Sequence, residues 1–127
     1  MNIQTHNKID QSLCGKPLEL KEGYAKIEMN TLENMAVDEK GLVHGGYIFG
    51  LADHAAMIAV NHPNVVLGSA ESKFLKPVKI NEKVIAEAQV KNVEKQKHIV
   101  ETLVHRNGDL VFKGTFVCFV LAKHVLD

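Results

Sequence analysis

The chain has 127 residues, of which 46% are hydrophobic and 24% charged, so its length and composition predict one soluble globular domain with its own core. Basic and acidic side chains number 15 each, and this zero net charge leaves no basic surface for nucleic acid. The two cysteines, Cys14 and Cys118, fit no metal or redox spacing, which favours a reducing compartment. Residues 1–14 are polar, so we expect no signal peptide and a frayed segment before a single domain over residues 15–127.

The first predicted strand covers residues 24–29, in which apolar and polar side chains alternate. Residues 30–42 mix polarities and include Asn34 and Gly41, so we expect a loop with one short helical turn. An apolar helix follows over residues 45–60, and Pro63 ends it because proline removes a backbone donor and disfavours helix before it. This helix is too short to span a bilayer, and we expect a cytoplasmic protein without membrane contact.

Strands dominate the rest of the chain. They are predicted over residues 65–75, 84–91, 98–106 and 110–122. Asn107-Gly108 between the last two is a strong two-residue hairpin signal, and the last strand is apolar on both faces, as in the middle of a sheet. One strand, one long helix and several antiparallel strands predict an α+β domain, in which the sheet curls around a helix that is apolar nearly all round.

Asp53 lies in the middle of the apolar helix, on the same face as Phe49, Ala56, Met57 and Val60. An ionised carboxylate there costs several kcal/mol unless it is paired, hydrogen-bonded or protonated. Burial would raise its pKa from roughly 3.9 towards values useful for proton transfer near neutral pH. From periodicity alone, a structural aspartate that caps a neighbouring loop explains the pattern equally well.

A specific motif precedes this carboxylate: Gly41-Leu42-Val43-His44-Gly45-Gly46, with Asp53 nine residues after the histidine. It resembles the hotdog-fold acyl-CoA thioesterases of the phenylacetyl-CoA thioesterase type, and the resemblance extends through Phe74-Leu75-Lys76-Pro77-Val78. Residues 68–90 are also similar to the effector-binding hotdog domain of malonyl-CoA-responsive regulators of fatty-acid synthesis. The resemblance implies a hotdog fold, with a curled antiparallel sheet wrapped around one long central helix. It also implies hydrolysis of an acyl-CoA thioester to free acid and CoA, without a cofactor.

The chemistry of the motif fits this reaction. A buried Asp53 can act as general base on water or attack the thioester carbonyl, and the Gly46 N–H is the expected oxyanion donor. Two glycines let substrate approach the backbone at the positive end of the helix. In related thioesterases the glycine turn of one subunit faces the acidic residue of its partner. The resemblance therefore implies a homodimer, with His44 orienting the turn, although His44 could equally be a structural residue.

Two positions depart from the family pattern. Asp38 stands where the family usually carries Asn or Gln, and Leu67 stands where many members carry Ser or Thr, with Ser69 two residues on and on the same strand face. If Asp38 and Asp53 approach each other, one of them should stay protonated, which would supply an acid–base pair or stall hydrolysis. Alternatively, Asp38 accepts hydrogen bonds from loop N–H groups.

The remaining candidate residues concern substrate binding. The resemblance places Lys76 and neighbouring Lys79 near the nucleotide phosphates of CoA. An acyl tunnel could be lined by Phe49, Met57 and Phe74, but core packing explains each of these as well. His54 points away from Asp53 and is more simply a core or interface histidine, and the histidines have no spacing suited to a metal. The full set of substrate-binding candidates is Gly45, Phe49, Met57, Ser69, Phe74, Lys76 and Pro77.

Three functions remain open at this point. Acyl-CoA hydrolysis is the leading one, and a non-catalytic acyl-CoA sensor that keeps the pocket is the second. The departures at Asp38 and Leu67 favour the sensor, whereas Asp53 and the complete glycine turn favour the enzyme. A helix-turn-helix segment is not predicted, so we expect no direct DNA binding. A hydratase or dehydratase is the third, although such enzymes resemble a different Asp/His arrangement. Either a dimer or a dimer of dimers is compatible with the sequence.

Overall fold

A computed structural model describes all 127 residues. Its elements are α1 (Gln11–Cys14), β1 (Lys16–Lys21), β2 (Tyr24–Asn30), a 3-10 turn (Glu33–Met35), α2 (Gly45–Val60), β3 (Val65–Phe74), β4 (Lys83–Glu94), β5 (Lys97–Arg106) and β6 (Asp109–Val120). The six strands form one antiparallel sheet in the order β1-β2-β4-β5-β6-β3. Helix α2 contacts every strand, so the sheet curls around it and the predicted hotdog fold is confirmed.

The core lies between α2 and the concave face of the sheet. Helix α2 contributes large side chains such as Leu51 and Ile58, together with four buried alanines that let the helix approach the strands closely. Burial of each large side chain contributes about 1.5–3 kcal/mol, so the apolar helix organises this core. No helix in the molecule is both long and apolar enough to cross a membrane.

Both ends of α2 follow from local chemistry. His44 is the N-cap residue, and its ring nitrogen Nδ1 accepts a hydrogen bond from the Gly46 N–H at 2.7 Å. The helix ends where Asn61 adopts a left-handed conformation (φ 53°) and donates its N–H to the Met57 carbonyl. Pro63 then prevents continuation, as the sequence predicts.

The N-terminal segment differs from the expectation of a frayed end. Thr5 is buried, and the ring of His6 stacks on that of His54 with centroids 6.1 Å apart. The side chain of Asn61 accepts from the Gln4 N–H and donates to the Asn2 carbonyl. Polar side chains, and not an apolar run, therefore attach this segment to α2, whereas the sequence predicts a frayed segment.

Strands β1 and β3 form the two edges of the sheet. Strand β1 is not predicted from the sequence, because its side chains are mostly exposed and do not alternate cleanly. Strand β3 is the other edge and pairs only with β6, which leaves ten residues with one unpaired backbone side. An unpaired strand of this length is a ready surface for pairing with a second chain.

Candidate active site

Asp53 lies on α2, close enough to Cys14 of α1 and Cys118 of β6 for its charge to affect both thiols. Its carboxyl group forms no ion pair or hydrogen bond within the chain, and its buried Oδ1 atom has no partner. Burial raises the pKa of Asp53 to about 6. In turn, burial and the charge of Asp53 raise the pKa of Cys118 to about 12. A loop-capping role within the chain therefore does not explain Asp53, whose carboxyl group exchanges its proton near neutral pH.

The glycine turn offers one free amide at the start of α2. The Gly46 N–H, expected to be the oxyanion donor, is instead bound by the ring of His44 at 2.7 Å. Gly45 is the first helical residue, so its N–H has no acceptor in a preceding turn. Within the chain, the Gly45 N–H is therefore the free amide of the turn, and His44 contacts the turn through the Gly46 N–H.

A mostly apolar cavity of about 300 Å³ opens beside this turn. It brings together four predicted substrate-binding residues, Gly45, Phe74, Lys76 and Pro77. Its complete lining is Val43, Gly45, Ile48, Phe74, Leu75, Lys76, Pro77, Val78 and Val111. A cavity of this size and polarity can hold an apolar group next to the Gly45 amide.

One chain does not bring Asp53 and the cavity together. Asp53 comes eight residues after Gly45 on the helix, which is about 12 Å along the helix axis at 1.5 Å per residue. Asp53 instead belongs to a partly exposed stripe of α2, and the space where a Gly50 side chain would project is open. The members of this stripe are Gly46, Phe49, Gly50, Asp53 and Val60.

Asp38 lies on the exposed loop that precedes the glycine turn. Its Oδ1 atom accepts hydrogen bonds from the N–H groups of Lys40 at 3.0 Å and Leu42 at 3.2 Å. These are the loop contacts that the sequence left open as an alternative. Within one chain Asp38 forms no contact with Asp53, and burial alone accounts for the raised pKa of Asp53.

Ser69 does not lie on the face predicted for it. Leu67 pairs with Cys118, whereas Ser69 pairs with Val117, because a β-bulge at Gly68 inserts one extra residue. Neighbouring residues on β6 point to opposite faces, and Cys118 is fully buried. Leu67 therefore faces the helix, whereas Ser69 is exposed on the outer face of the sheet, and the prediction that they share a face is wrong.

Within one chain, Met57 is part of the core, and the partly exposed Phe49 packs against it. Met57 is 1% exposed, and the ring of Phe49 packs against that of Phe116 at 5.5 Å between centroids. His54 is also buried, with its Nδ1 atom 3.0 Å from the Cys14 carbonyl oxygen, as expected for a core histidine. Neither Phe49 nor Met57 lines the cavity, so within one chain these predicted substrate-binding residues have a packing role.

Sequence reasoning missed Arg106, the only arginine in the chain. Its guanidinium donates to the Pro77 carbonyl and lies 3.6 Å from carboxylate oxygens of Glu82 and Asp109. Asp109 also pairs with Lys76 at 3.3 Å. Arg106 thus fixes the cavity wall around Lys76 and Pro77. As the single arginine among 15 basic residues, it could have been singled out from the sequence. Lys79 is exposed and lies outside the cavity.

The fold and site define a class of protein. A curled sheet around one helix, with an isolated carboxyl group on that helix and a glycine turn at its start, is a hotdog domain of the thioesterase class. Residues 40–113, more than half of the chain, match the family model for the thioesterase superfamily. The chain belongs to this superfamily, which confirms the resemblance seen in its sequence.

Solved structures show the same fold along nearly the whole chain. The crystal structure of the uncharacterized protein PH1136 from Pyrococcus horikoshii is 53% identical, covers 100% of this chain and 98% of that one, and has a TM-score of 0.99. A mutant of the phenylacetic acid degradation protein PaaI from Thermus thermophilus is 28% identical. It covers 87% of this chain and 96% of that one, with a TM-score of 0.81.

Two curated relatives are longer than this chain. Methylthioribose-1-phosphate isomerase from Aquifex aeolicus is 50% identical over 116 residues, which are 91% of this chain and 25% of that protein. Transcription factor FapR from Caldanaerobacter subterraneus is 26% identical over 115 residues, which are 90% of this chain and 58% of that protein. The chain therefore spans a quarter of the first and less than two thirds of the second.

Proposed function

We propose that this chain is the subunit of an acyl-CoA thioesterase that hydrolyses an acyl-CoA to free acid and CoA. The observation that carries the proposal is Asp53, a largely buried carboxyl group with no partner in the chain and a pKa of about 6. Membership of the thioesterase superfamily supports thioester hydrolysis as the reaction in which this carboxyl group would act. A group that exchanges its proton near neutral pH meets the first requirement of a general base.

The proposed reaction joins two chains. The thioester carbonyl accepts a hydrogen bond from the Gly45 N–H of one subunit, while Asp53 of the other subunit lies on its opposite side. Asp53 takes a proton from water as the water oxygen adds to the carbonyl carbon. The carbon–sulfur bond then breaks, and the proton passes to the departing CoA sulfur. Direct attack by the Asp53 carboxylate, followed by hydrolysis of the anhydride, uses the same positions.

Several features support assembly as a homodimer. The free edge of β3 can pair with a second copy, and the open space at Gly50 allows another chain to approach Asp53. Asp38 lies on the loop before the glycine turn of its own chain. The proposed interface, which places this turn against the partner, would therefore also bring Asp38 towards the partner. A second interface that joins two such dimers is compatible with this arrangement. Lys76, beside the cavity, is the residue that we propose for a CoA phosphate.

The test is thiol release from a panel of acyl-CoAs by wild type and Asp53→Asn. The amide keeps the volume of the side chain but cannot accept the proton, so we expect turnover to fall by about 100-fold or more, with acyl-CoA binding retained. Asp127→Asn is the matched control, because it removes the same charge at an exposed position. Wild-type turnover by Asp53→Asn would disprove the catalytic role of Asp53.

A non-catalytic acyl-CoA sensor is the second candidate. The similarity to transcription factor FapR over 90% of the chain favours it, as does Asp38 in place of the usual amide. Calorimetric titration with the same acyl-CoA panel separates the two functions. If wild type binds an acyl-CoA tightly but releases thiol from none, the sensor function replaces hydrolysis as the proposed function.

A further inference from the structure

We propose that Phe74 restricts the site to acyl groups that are unbranched at the carbon next to the thioester carbonyl. This inference rests on the proposed thioesterase function and adds a substrate class to it. Phe74 is the last residue of β3 and lines the cavity together with Gly45. Its ring supplies the three atoms nearest to a Cβ placed on Gly45, the residue that carries the free amide.

The ring of Phe74 lies directly against Gly45. A Cβ atom placed on Gly45 would be 3.2 Å from Cε1 of Phe74 and 3.5 Å from its Cδ1. The shorter of these distances is closer than ordinary van der Waals contact, so the ring occupies the space that a side chain at position 45 would need. A side chain at position 45 would therefore require the Phe74 ring to shift by a few tenths of an ångström.

The ring is held in place although 57% of Phe74 is exposed. It packs edge to face on the fully buried ring of Phe112, with centroids 5.1 Å apart, and Phe112 packs on Phe116 at 6.5 Å. Beyond the strand end, the Leu75 N–H donates to the Val111 carbonyl at 2.8 Å. An exposed aromatic ring fixed at both its edge and its backbone is suited to contact a ligand.

These contacts determine what can be attached to the bound carbonyl. A carbonyl oxygen that accepts from the Gly45 N–H lies about 2.9 Å from the nitrogen, which places the carbonyl carbon about 4 Å from it. The next carbon of the acyl group then projects into the space that the Phe74 ring borders. A straight chain can continue along the apolar wall of the cavity, whereas a methyl branch at this carbon would meet the ring.

Two isomeric substrates test this directly. Butyryl-CoA and isobutyryl-CoA contain the same atoms and differ only in branching next to the carbonyl. We expect the kcat/KM of wild type to favour butyryl-CoA by about ten-fold or more, which is the discrimination that one misplaced methyl group produces. Phe74→Ala should reduce this preference to about three-fold or less, mainly by raising kcat/KM for isobutyryl-CoA.

Leu75→Ala is the matched control, because Leu75 lines the same cavity, whereas the three atoms nearest to a Cβ placed on Gly45 all belong to Phe74. Its preference for butyryl-CoA should equal that of wild type. Phe74→Leu, which keeps an apolar side chain without the ring, provides an intermediate preference and replaces Phe74→Ala if that variant does not fold. Equal hydrolysis of both isomers by wild type, or an unchanged preference in both Phe74 variants, would overturn the proposal. Failure to hydrolyse any acyl-CoA would instead overturn the proposed function.

Discussion

At the scale of single residues, the buried carboxyl group of Asp53 makes the stability of the fold depend on pH. Its pKa is about 6 in the folded chain and near 3.8 when unperturbed, so the folded state binds the proton more tightly than the unfolded state. Stability from this group is therefore fully present below pH 4 and is lost as the pH rises through 6. For the burial seen in one chain, the loss corresponds to about 3 kcal/mol at pH 8.

Asp53→Asn should therefore be more stable than wild type at pH 8 and similar to it at pH 4. The amide carries no charge at either pH, so the cost of burying an ionised carboxylate disappears only where wild type is ionised. Urea unfolding at the two pH values measures the difference. An equal gain at both values would mean that packing, and not charge, accounts for it.

The environment of a residue could be predicted where its position in an apolar segment was itself informative. A single carboxylate in an apolar helix is expected to have few polar neighbours, and in the structure the buried Oδ1 atom of Asp53 has no hydrogen-bond partner. The occupied Gly46 amide could not be predicted, because it depends on the rotamer of His44. Ser69 was assigned to the wrong face because a β-bulge reverses the alternation of side chains there. Apart from Gly68, no sequence pattern marks this bulge.

At the scale of elements, α2 and the strands after it were predicted close to their observed bounds. Periodicity reports burial, so it identifies elements that bury one face and says little about exposed ones. Strand β1 was missed for this reason. The N-terminal segment was predicted as frayed because its attachment uses the His6–His54 stack and the Asn61 side chain, and neither depends on an apolar run.

The start of α2 gives a prediction about the oxyanion donor. Gly45→Pro removes the N–H, and proline is well accommodated at the first helical position. His44 already has the extended backbone that proline requires of its neighbour, with φ −59° and ψ 131°. We expect kcat to fall by about 100-fold or more, as for loss of an oxyanion donor elsewhere.

Gly45→Ala is the control for crowding. It also introduces a Cβ atom close to Phe74 but keeps the N–H, so we expect its kcat to stay within about ten-fold of wild type. Steady-state kinetics with one straight-chain acyl-CoA distinguish the two variants. Equal losses in both would indicate that the Phe74 contact, rather than the Gly45 donor, limits the reaction.

At the scale of the whole molecule, the separation of the two halves of the site is the main consequence of the fold. The Gly45 amide and Asp53 lie about 12 Å apart along one rigid helix, so no loop movement brings them together. The proposed two-fold symmetric homodimer would solve this, because it would present the turn of each chain to the carboxyl group of the other. The sequence alone implied this arrangement by resemblance, and the single-chain structure adds the physical reason.

Mixing two inactive variants tests this arrangement. Asp53→Asn lacks the base, and Gly45→Pro lacks the amide donor, so each homodimer should be inactive. After joint unfolding and refolding in equal amounts, about half of the dimers are mixed, and each holds one intact site of two. We therefore expect about a quarter of wild-type activity, with a dimeric mass by light scattering. If both groups acted within one chain, the mixture would stay as inactive as its components.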